Sequence, residues 1–266
     1  MELGLQGKIA VVTGASRGIG LAVTRALVAE GATVVAGSRS GSAQLDELVS
    51  AGSVESVPVD LSAPEGPAAL IAHAAETAVR GGGQIDVLVN NVGGAPPRLD
   101  GFLAVTDEQW LDSINLNLMA AVRATRAVLP HMLAAGCGSI VTVSSVNAFL
   151  PDPAVIDYSA AKGALTNFSK SLSKEVGGRG IRVNTISPGP VATDLWLGSD
   201  GVAERISRKQ GVAARDVAAG AAAEMVTGRF TRPEEVADLV VLLAGDRAGN
   251  VTGADFTIDG GMIRTL

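Results

Sequence analysis

The sequence predicts an α/β fold: a doubly wound sandwich whose mostly parallel, seven-stranded sheet carries helices on both faces. Three observations predict it. Short apolar runs alternate with longer amphipathic stretches along the chain, a glycine-rich turn joins the first run to the first amphipathic stretch, and polar motifs fall just past the carboxyl ends of the runs. The 266 residues, 47% of them hydrophobic, suffice for one sizeable core. No repeat, low-complexity tract or linker divides them, so residues 1–266 read as a single domain.

The first strand, 8–13, is the run Ile9, Ala10, Val11, Val12 closed by Thr13. A continuous apolar run of this length suits a parallel strand buried on both faces. The turn Gly14-Ala15-Ser16-Arg17-Gly18-Ile19-Gly20 follows, and then Leu21, Val23, Leu27 and Val28 recur with the helical period. Further strands are expected at 33–37, 54–59, 85–90, 138–144, 181–187 and 254–258, with helices filling the gaps and right-handed crossovers between them. The last helix has a start signal in Thr231-Arg232-Pro233-Glu234: a cap, an early proline and a carboxylate ahead of Val236, Leu239, Val240 and Leu243. From Val191 to Thr231 runs a segment too long for a plain connection. It is expected to fold into helices over the crevice as a lid at about 191–231. Its apolar positions Leu195, Trp196, Leu197, Val202, Ile206 and Met225 either shape a pocket with Phe149, Leu150 and the loop Gly94–Phe102 or form the lid's own core.

Two local patterns carry chemistry. Tyr158 and Lys162 are four apart, so on a helix a phenol and an ammonium share one face, and the cation is expected to lower the phenol's pKa toward the range useful for acid/base work. The glycine turn, spaced G-x-x-x-G-x-G between a buried strand and a helix, clears space for a pyrophosphate and exposes N–H groups toward it. The remaining polar groups follow the same logic: Arg39 comes after the second strand, Asp60 after the third, Asn90 to Gly93 after the fourth, Ser144-Ser145 after the fifth and Pro188-Gly189 after the sixth. In an open α/β sheet that edge is the binding crevice.

Composition excludes other classes. A formal charge of −6 argues against nucleic acid or an anionic membrane as partner. No stretch approaches 18 apolar residues and Met1 to Lys8 lacks the pattern of a signal peptide, so a cytoplasmic protein is expected. Cys137 has no partner for an internal disulfide, and with His73 and His131 scattered, no metal ligand set is expected.

Taken in order, Thr13 to Gly20, Asp60-Leu61, Asn90-Asn91-Val92-Gly93, Asn117, Ser145, Tyr158 to Lys162, Pro188-Gly189 and Asp259-Gly260-Gly261 resemble the short-chain dehydrogenase/reductase family, in its single-domain branch with a Rossmann-type sheet. The resemblance covers essentially the whole chain. Val92 departs from it, standing where the family usually has alanine. The resemblance implies that Tyr158 gives or takes the proton at the substrate oxygen, that Lys162 tunes Tyr158 and binds the nicotinamide ribose, and that Ser145 hydrogen-bonds the carbonyl. It implies that Asn117 holds a water linking Lys162 to solvent. Asn115 competes with Asn117, and Ser144 with Ser145; the position seven after Trp110 and the count of thirteen back from Tyr158 select Asn117 and Ser145. Asn117 could instead be a buried polar residue in a helix kink.

By the same resemblance Gly14, Ser16, Arg17, Gly18, Ile19, Gly20, Arg39, Asp60, Leu61, Asn90, Gly93, Pro188, Gly189 and Thr193, with Tyr158 and Lys162, bind the cofactor. Asp60 would meet the adenine edge and Asn90 the adenosine ribose. No acid lies between 32 and 45, while Arg39 ends the second strand and Arg17 sits in the turn, so NADP(H) is expected over NAD. If the arginines are solvated surface groups, that expectation falls. The implied activity is hydride transfer between NADP(H) and a carbonyl or secondary alcohol on a small or medium, mainly apolar substrate. A 3-oxoacyl-(acyl-carrier-protein) reductase is the alternative, weakened by Ala134-Ala135-Gly136 where basic groups are usual, although Arg179 is present. A dinucleotide-sensing regulator is a further alternative on the same fold. The family's habit of pairing the helices that carry Asn117 and Tyr158 implies a homo-oligomer, a dimer or tetramer, with Ala160, Ala161 and Ala164 allowing close approach.

Overall fold

Seven strands form one parallel sheet in the order β3-β2-β1-β4-β5-β6-β7. The computed structural model describes residues 2–265. The strands are β1 (Ile9–Thr13), β2 (Thr33–Ser38), β3 (Val54–Pro58), β4 (Ile85–Asn90), β5 (Gly138–Val143), β6 (Ile181–Pro188) and β7 (Asp255–Ile258), each within a residue or so of its expected bounds. The helices are α1 (Gly18–Ala29), α2 (Ala43–Ser50), α3 (Gly66–Arg80), α4 (Asp107–Ile114), α5 (Ala120–Ala135), α6 (Ile156–Val176), α7 (Asp194–Leu197), α8 (Val202–Gln210), α9 (Ala214–Ala223) and α10 (Pro233–Ala244).

The strand period of two divides the core into two layers. Ala10 and Val12 of β1 join Val34, Ala36, Val87, Val89, Val141 and Val143 under α1, α2 and α10; Ile9 and Val11 join Val35, Leu88, Ile140 and Val183 under α3, α5 and α6. Nearly every residue of β1, β2, β4, β5 and β6 is therefore inside, whereas the edge strands β3 and β7 are mostly partly exposed; burial on both faces explains why β1 reads as an unbroken apolar run. Close helix approach depends on small residues: a Cβ on Gly37 of β2 would lie 2.4 Å from Leu70 Cδ2 of α3. No helix among the described residues is long and apolar enough to cross a membrane.

Two local features differ from the sequence expectation. The N-cap of α10 is Arg232 and not Thr231, and the carboxylate that closes the turn is Glu235, not Glu234: Glu235 Oε2 accepts from the Arg232 amide at 2.8 Å. Thr231 is instead engaged in an isolated parallel bridge with Val191, where the Ala192 amide donates to the Thr231 carbonyl at 2.9 Å and the Thr231 amide to the Pro190 carbonyl at 3.1 Å. That bridge closes the base of segment 191–231, which holds α7, α8 and α9. Within it Trp196 packs edge-on against Phe230, ring centroids 5.2 Å apart, while Val202 and Met225 are buried. These side chains form the segment's own core, whereas Leu195 and Leu197 are exposed.

Candidate active site

The strand order reverses between β1 and β4, and the expected site residues line the carboxyl edge of the sheet on both sides of that switch. Here the connections to β2 and to β5 depart in opposite directions and leave a crevice.

On one side lies the glycine turn. Gly14 has φ +68°, a left-handed backbone that side chains oppose, and its amide donates to the Gly37 carbonyl at 2.8 Å. A Cβ on Gly20 would fall 2.1 Å from the Gly14 carbonyl oxygen and 2.6 Å from Asn91 Nδ2, so the first turn of α1 lies directly on the end of β1. Arg17 is the N-cap of α1 and makes no side-chain cap bond. The helix thus opens on N–H groups that no N-cap side chain satisfies, a cradle that fits a dinucleotide's pyrophosphate. Thr193 stands beside it, since a Cβ on Gly18 would meet Thr193 Cγ2 at 3.2 Å. Ser16 is buried and Ile19 half-buried in the same turn.

Asn91, which the sequence reading did not single out, ties the two sides together. Its Nδ2 donates to the carbonyls of Thr13 at 2.9 Å and Gly14 at 3.2 Å, and its amide to Thr13 Oγ1 at 2.8 Å. Thr13 Oγ1 in turn donates to the Val89 carbonyl at 3.2 Å. Asn90 points the other way: its side chain is 4% exposed, and its amide nitrogen donates to Thr125 Oγ1 of α5 at 3.1 Å. The strand alternation turns its side chain into the core, so a ribose at this strand end would meet Asn90 by its main chain. Val92 packs against Gly14, where a Cβ would lie 3.0 Å from its Cα.

At the ends of β2 and β3, Arg39 and Asp60 are exposed, as is Arg17 across the turn. The Ser62 hydroxyl and amide donate to Asp60 Oδ1 at 2.7 and 3.0 Å and hold that carboxyl below its ordinary range, with the nearby Arg39 charge acting in the same direction. Leu61 is buried under the same turn. Beyond β6, Pro188 is buried and the Gly189 amide donates to the Ile258 carbonyl at 3.0 Å, so the turn lies against β7. Asp259 accepts there from the amides of Gly261 and Ile263 at 2.9 and 2.8 Å.

The other side of the crevice holds the phenol. Tyr158 is the third residue of α6, and Lys162, one turn on, sets its Nζ 5.6 Å from the ring centroid while donating to the Val143 carbonyl at 2.8 Å. Lys162 is 3% exposed, and burial lowers its pKa from 10.5 to about 8. Burial raises the Tyr158 pKa, with the neighbouring Ser145 hydroxyl opposing it. The expected lowering of the phenol is thus corrected: desolvation of the phenolate outweighs the attractive groups around it.

Ser144 and Ser145 part company at the end of β5. Ser144 Oγ shares a hydrogen bond of 2.6 Å with Thr166 Oγ1 inside α6, whereas Ser145 starts a short turn and donates to Asn147 Oδ1 at 3.2 Å. Asn117 lies in one turn of π-helix, Asn115–Met119, between α4 and α5. It is 1% exposed; its Oδ1 accepts from the Gly94 amide at 3.0 Å and its Nδ2 donates to the Gly94 carbonyl at 3.0 Å. Asn115 instead accepts from Arg123 at 3.2 Å. A Cβ on Gly93 would lie 2.8 Å from Asn117 Oδ1 and 3.7 Å from Lys162 Nζ, so glycine, amide and ammonium converge on one point of the crevice.

This arrangement can bind a dinucleotide along the strand ends and present a proton donor to an oxygen held between Ser145 and Tyr158. Known proteins agree in kind. Residues 14–263 match the family model described as Enoyl-(Acyl carrier protein) reductase. The chain is 35% identical over 263 residues to the 3-oxoacyl-[acyl-carrier-protein] reductase FabG of Salmonella typhimurium, covering 98% of this chain and 99% of that protein. With its counterpart from Thermotoga maritima the identity is 36% over 264 residues, 97% of this chain and 99% of the other. A solved structure of L-sorbose reductase from Gluconobacter frateurii, complexed with NADPH and L-sorbose, superposes with a TM-score of 0.88 at 35% identity, covering 100% of both chains.

Proposed function

The chain belongs to the short-chain dehydrogenase/reductase family and is an oxidoreductase, and from that premise we propose that it transfers hydride between NADP(H) and a carbonyl or secondary alcohol of a small or medium, mainly apolar substrate. The observation that carries this reading is the half-buried phenol of Tyr158 beside the buried ammonium of Lys162, facing Ser145 at the mouth of the crevice. Arg17 and Arg39 support a 2′-phosphate, and the NADPH of the sorbose reductase complex points the same way.

NADP(H), held by the residues along the strand ends, would supply or accept the hydride through its nicotinamide. The chain's own residues do the rest. Ser145 and Tyr158 hold the substrate oxygen, and a phenol whose pKa is raised stays protonated at neutral pH, ready to donate that proton as the carbonyl is reduced. Lys162 then faces the phenolate and stabilises it, its amine held in place by Val143. Asn117 fixes Gly94 at two points and so keeps the floor of the crevice open beside Lys162. Gly14, Ser16, Gly18, Ile19, Gly20 and Thr193 cradle the pyrophosphate, Asp60 and Leu61 flank the adenine, and Gly93, Pro188 and Gly189 line the remaining length of the cofactor. Any part Asn90 has there falls to its main chain. Segment 191–231 acts as a lid that excludes water, presenting Leu195 and Leu197 with Phe149 and Leu150 to the substrate. The setting proposed is cytoplasmic.

A second reading, reduction of a 3-oxoacyl group carried as a thioester, is favoured by the curated relatives. Replacing Tyr158 with Phe tests both through their shared step. NADPH binding persists while turnover of a ketone and of a 3-oxoacyl thioester falls by at least about 10². Near-normal turnover in Tyr158→Phe refutes the assignment, and the wild type's kcat/KM on the two substrates separates the readings.

A further inference from the structure

Arg98 and Asp157 form a buried ion pair that the chemistry above does not use. Nε and Nη2 of Arg98 donate to Asp157 Oδ2 at 3.1 and 2.6 Å. The Asp157 side chain is 0% exposed and that of Arg98 12%. Oδ1 of Asp157 is also buried and has no hydrogen-bond partner. Arg98 is therefore the one charged partner this carboxylate has among the described residues, and it comes from a loop 59 positions away in sequence.

The loop is held at several points, all of them on functional elements. At Gly94 it is clamped by Asn117. At Arg98 the main-chain amide adds a 2.6 Å bond to the Ala154 carbonyl, two residues before α6 begins. At Asp100 the carboxylate pairs with Lys209 of α8 in segment 191–231. Asp157 immediately precedes Tyr158 in the first turn of α6. A buried carboxylate without its cation is strongly unfavourable, so the first turn of α6 and the loop must adopt this arrangement together.

We infer that Arg98 is a positioning residue: acting through Asp157, it holds the first turn of α6 so that Tyr158 faces Ser145, and it fixes the loop 94–101 as a wall of the substrate site. The inference rests on Tyr158 as the proton donor. A misplacement of about 1 Å at the reacting groups can cost about a hundredfold in rate, which sets the scale of the effect.

The test compares Arg98→Met, Arg98→Lys and the double variant Arg98→Met/Asp157→Asn with wild type, measuring kcat, substrate KM and NADPH affinity on one ketone. Arg98→Met is expected to lose about tenfold to a hundredfold in kcat with NADPH affinity kept within about twofold, because the glycine turn does not touch the pair. Arg98→Lys, which keeps the charge, is expected to recover most of that loss. Should Arg98→Met fail to fold, the double variant carries no unpaired buried charge and is expected to fold with kcat still reduced at least about fivefold. A kcat near wild type in Arg98→Met or in the folded double variant overturns the inference, as does a loss of NADPH affinity parallel to kcat or an Arg98→Lys variant no better than Arg98→Met. Tyr158→Phe runs alongside: if it remains active, the assignment of Tyr158 fails, whereas an inactive Tyr158→Phe beside a fully active Arg98→Met refutes the role of Arg98 alone.

Discussion

Lys162 lies one helical turn after Tyr158, with its Nζ 5.6 Å from the phenol ring centroid and anchored on the Val143 carbonyl at 2.8 Å. The same burial moves the two groups in opposite directions, the amine down to about 8 and the phenol up, because each loses stability in its charged form. Near neutral pH the pair therefore rests as ammonium and phenol, the state suited to giving up a proton during carbonyl reduction.

This has a consequence for stability. The amine's pKa is about 8 folded against 10.5 ordinarily, so the folded state binds the proton less tightly, and burying the charged form costs about 3 kcal/mol below pH 8. Between pH 8 and 10 the unfolded chain holds more protons at this site than the folded one, so the contribution of Lys162 to stability rises with pH. Urea denaturation of wild type and Lys162→Met across pH 6.5 to 10 checks it: wild type gains on the variant above pH 8. Parallel curves would refute the depressed amine.

Cofactor preference follows from charge. Arg39 ends β2 and Arg17 caps α1, both exposed toward the same edge of the crevice. Arg39→Asp removes a partner for a 2′-phosphate and adds an acceptor for ribose hydroxyls. The ratio of kcat/KM for NADPH over NADH is expected to fall by at least about tenfold, or about 1.4 kcal/mol. A wild type that prefers NADH, or an unchanged ratio in the variant, would mark these arginines as ordinary surface charges.

Gly20→Ala tests the cradle. The new methyl would stand 2.1 Å from the Gly14 carbonyl oxygen, a backbone atom that cannot swing aside, so strand and helix must separate. A loss of about 1 to 3 kcal/mol in stability is expected, with weakened dinucleotide binding by calorimetry. Unchanged affinity would show that the turn does not hold the cofactor.

Association is expected from the surface. Phe102 and Leu103 precede α4, Leu111 lies on it, and all three are exposed, as are the small residues Ala160 and Ala164 of α6. Light scattering at micromolar concentration is expected to give at least twice the chain mass of 26.8 kDa. A single-chain mass would refute the pairing.

The strands were legible because a parallel strand buried on both faces must be apolar throughout, as Ile9 to Val12 are. Tyr158 and Lys162 were legible because the helical period alone brings them together. Ser144 and Ser145 could be ordered only by counting, and the structure adds a reason: Thr166 occupies the Ser144 hydroxyl. What remained hidden depends on contacts between distant segments. Asn91 bonding across to Thr13, Arg98 pairing with Asp157 and Asn90 turning toward Thr125 have no local signature. The start of α10 was misplaced by one residue because Thr231 is committed to Val191, a bond that propensity does not register. The direction of the Tyr158 shift was missed because it depends on burial depth, which spacing does not report.

Because Val191 and Thr231 sit side by side, the segment between them begins and ends at one place on the scaffold. Its interior can lengthen, shorten or be exchanged without pulling on β6 or α10, since doubling the length of such a loop adds only about 0.6 kcal/mol of closure cost. Selection on substrate range can therefore rewrite the part of this cassette beyond Thr193, which stays beside the glycine turn, while Tyr158 and Lys162 keep their places on α6. An engineer can do the same by grafting a foreign insert between Thr193 and Thr231.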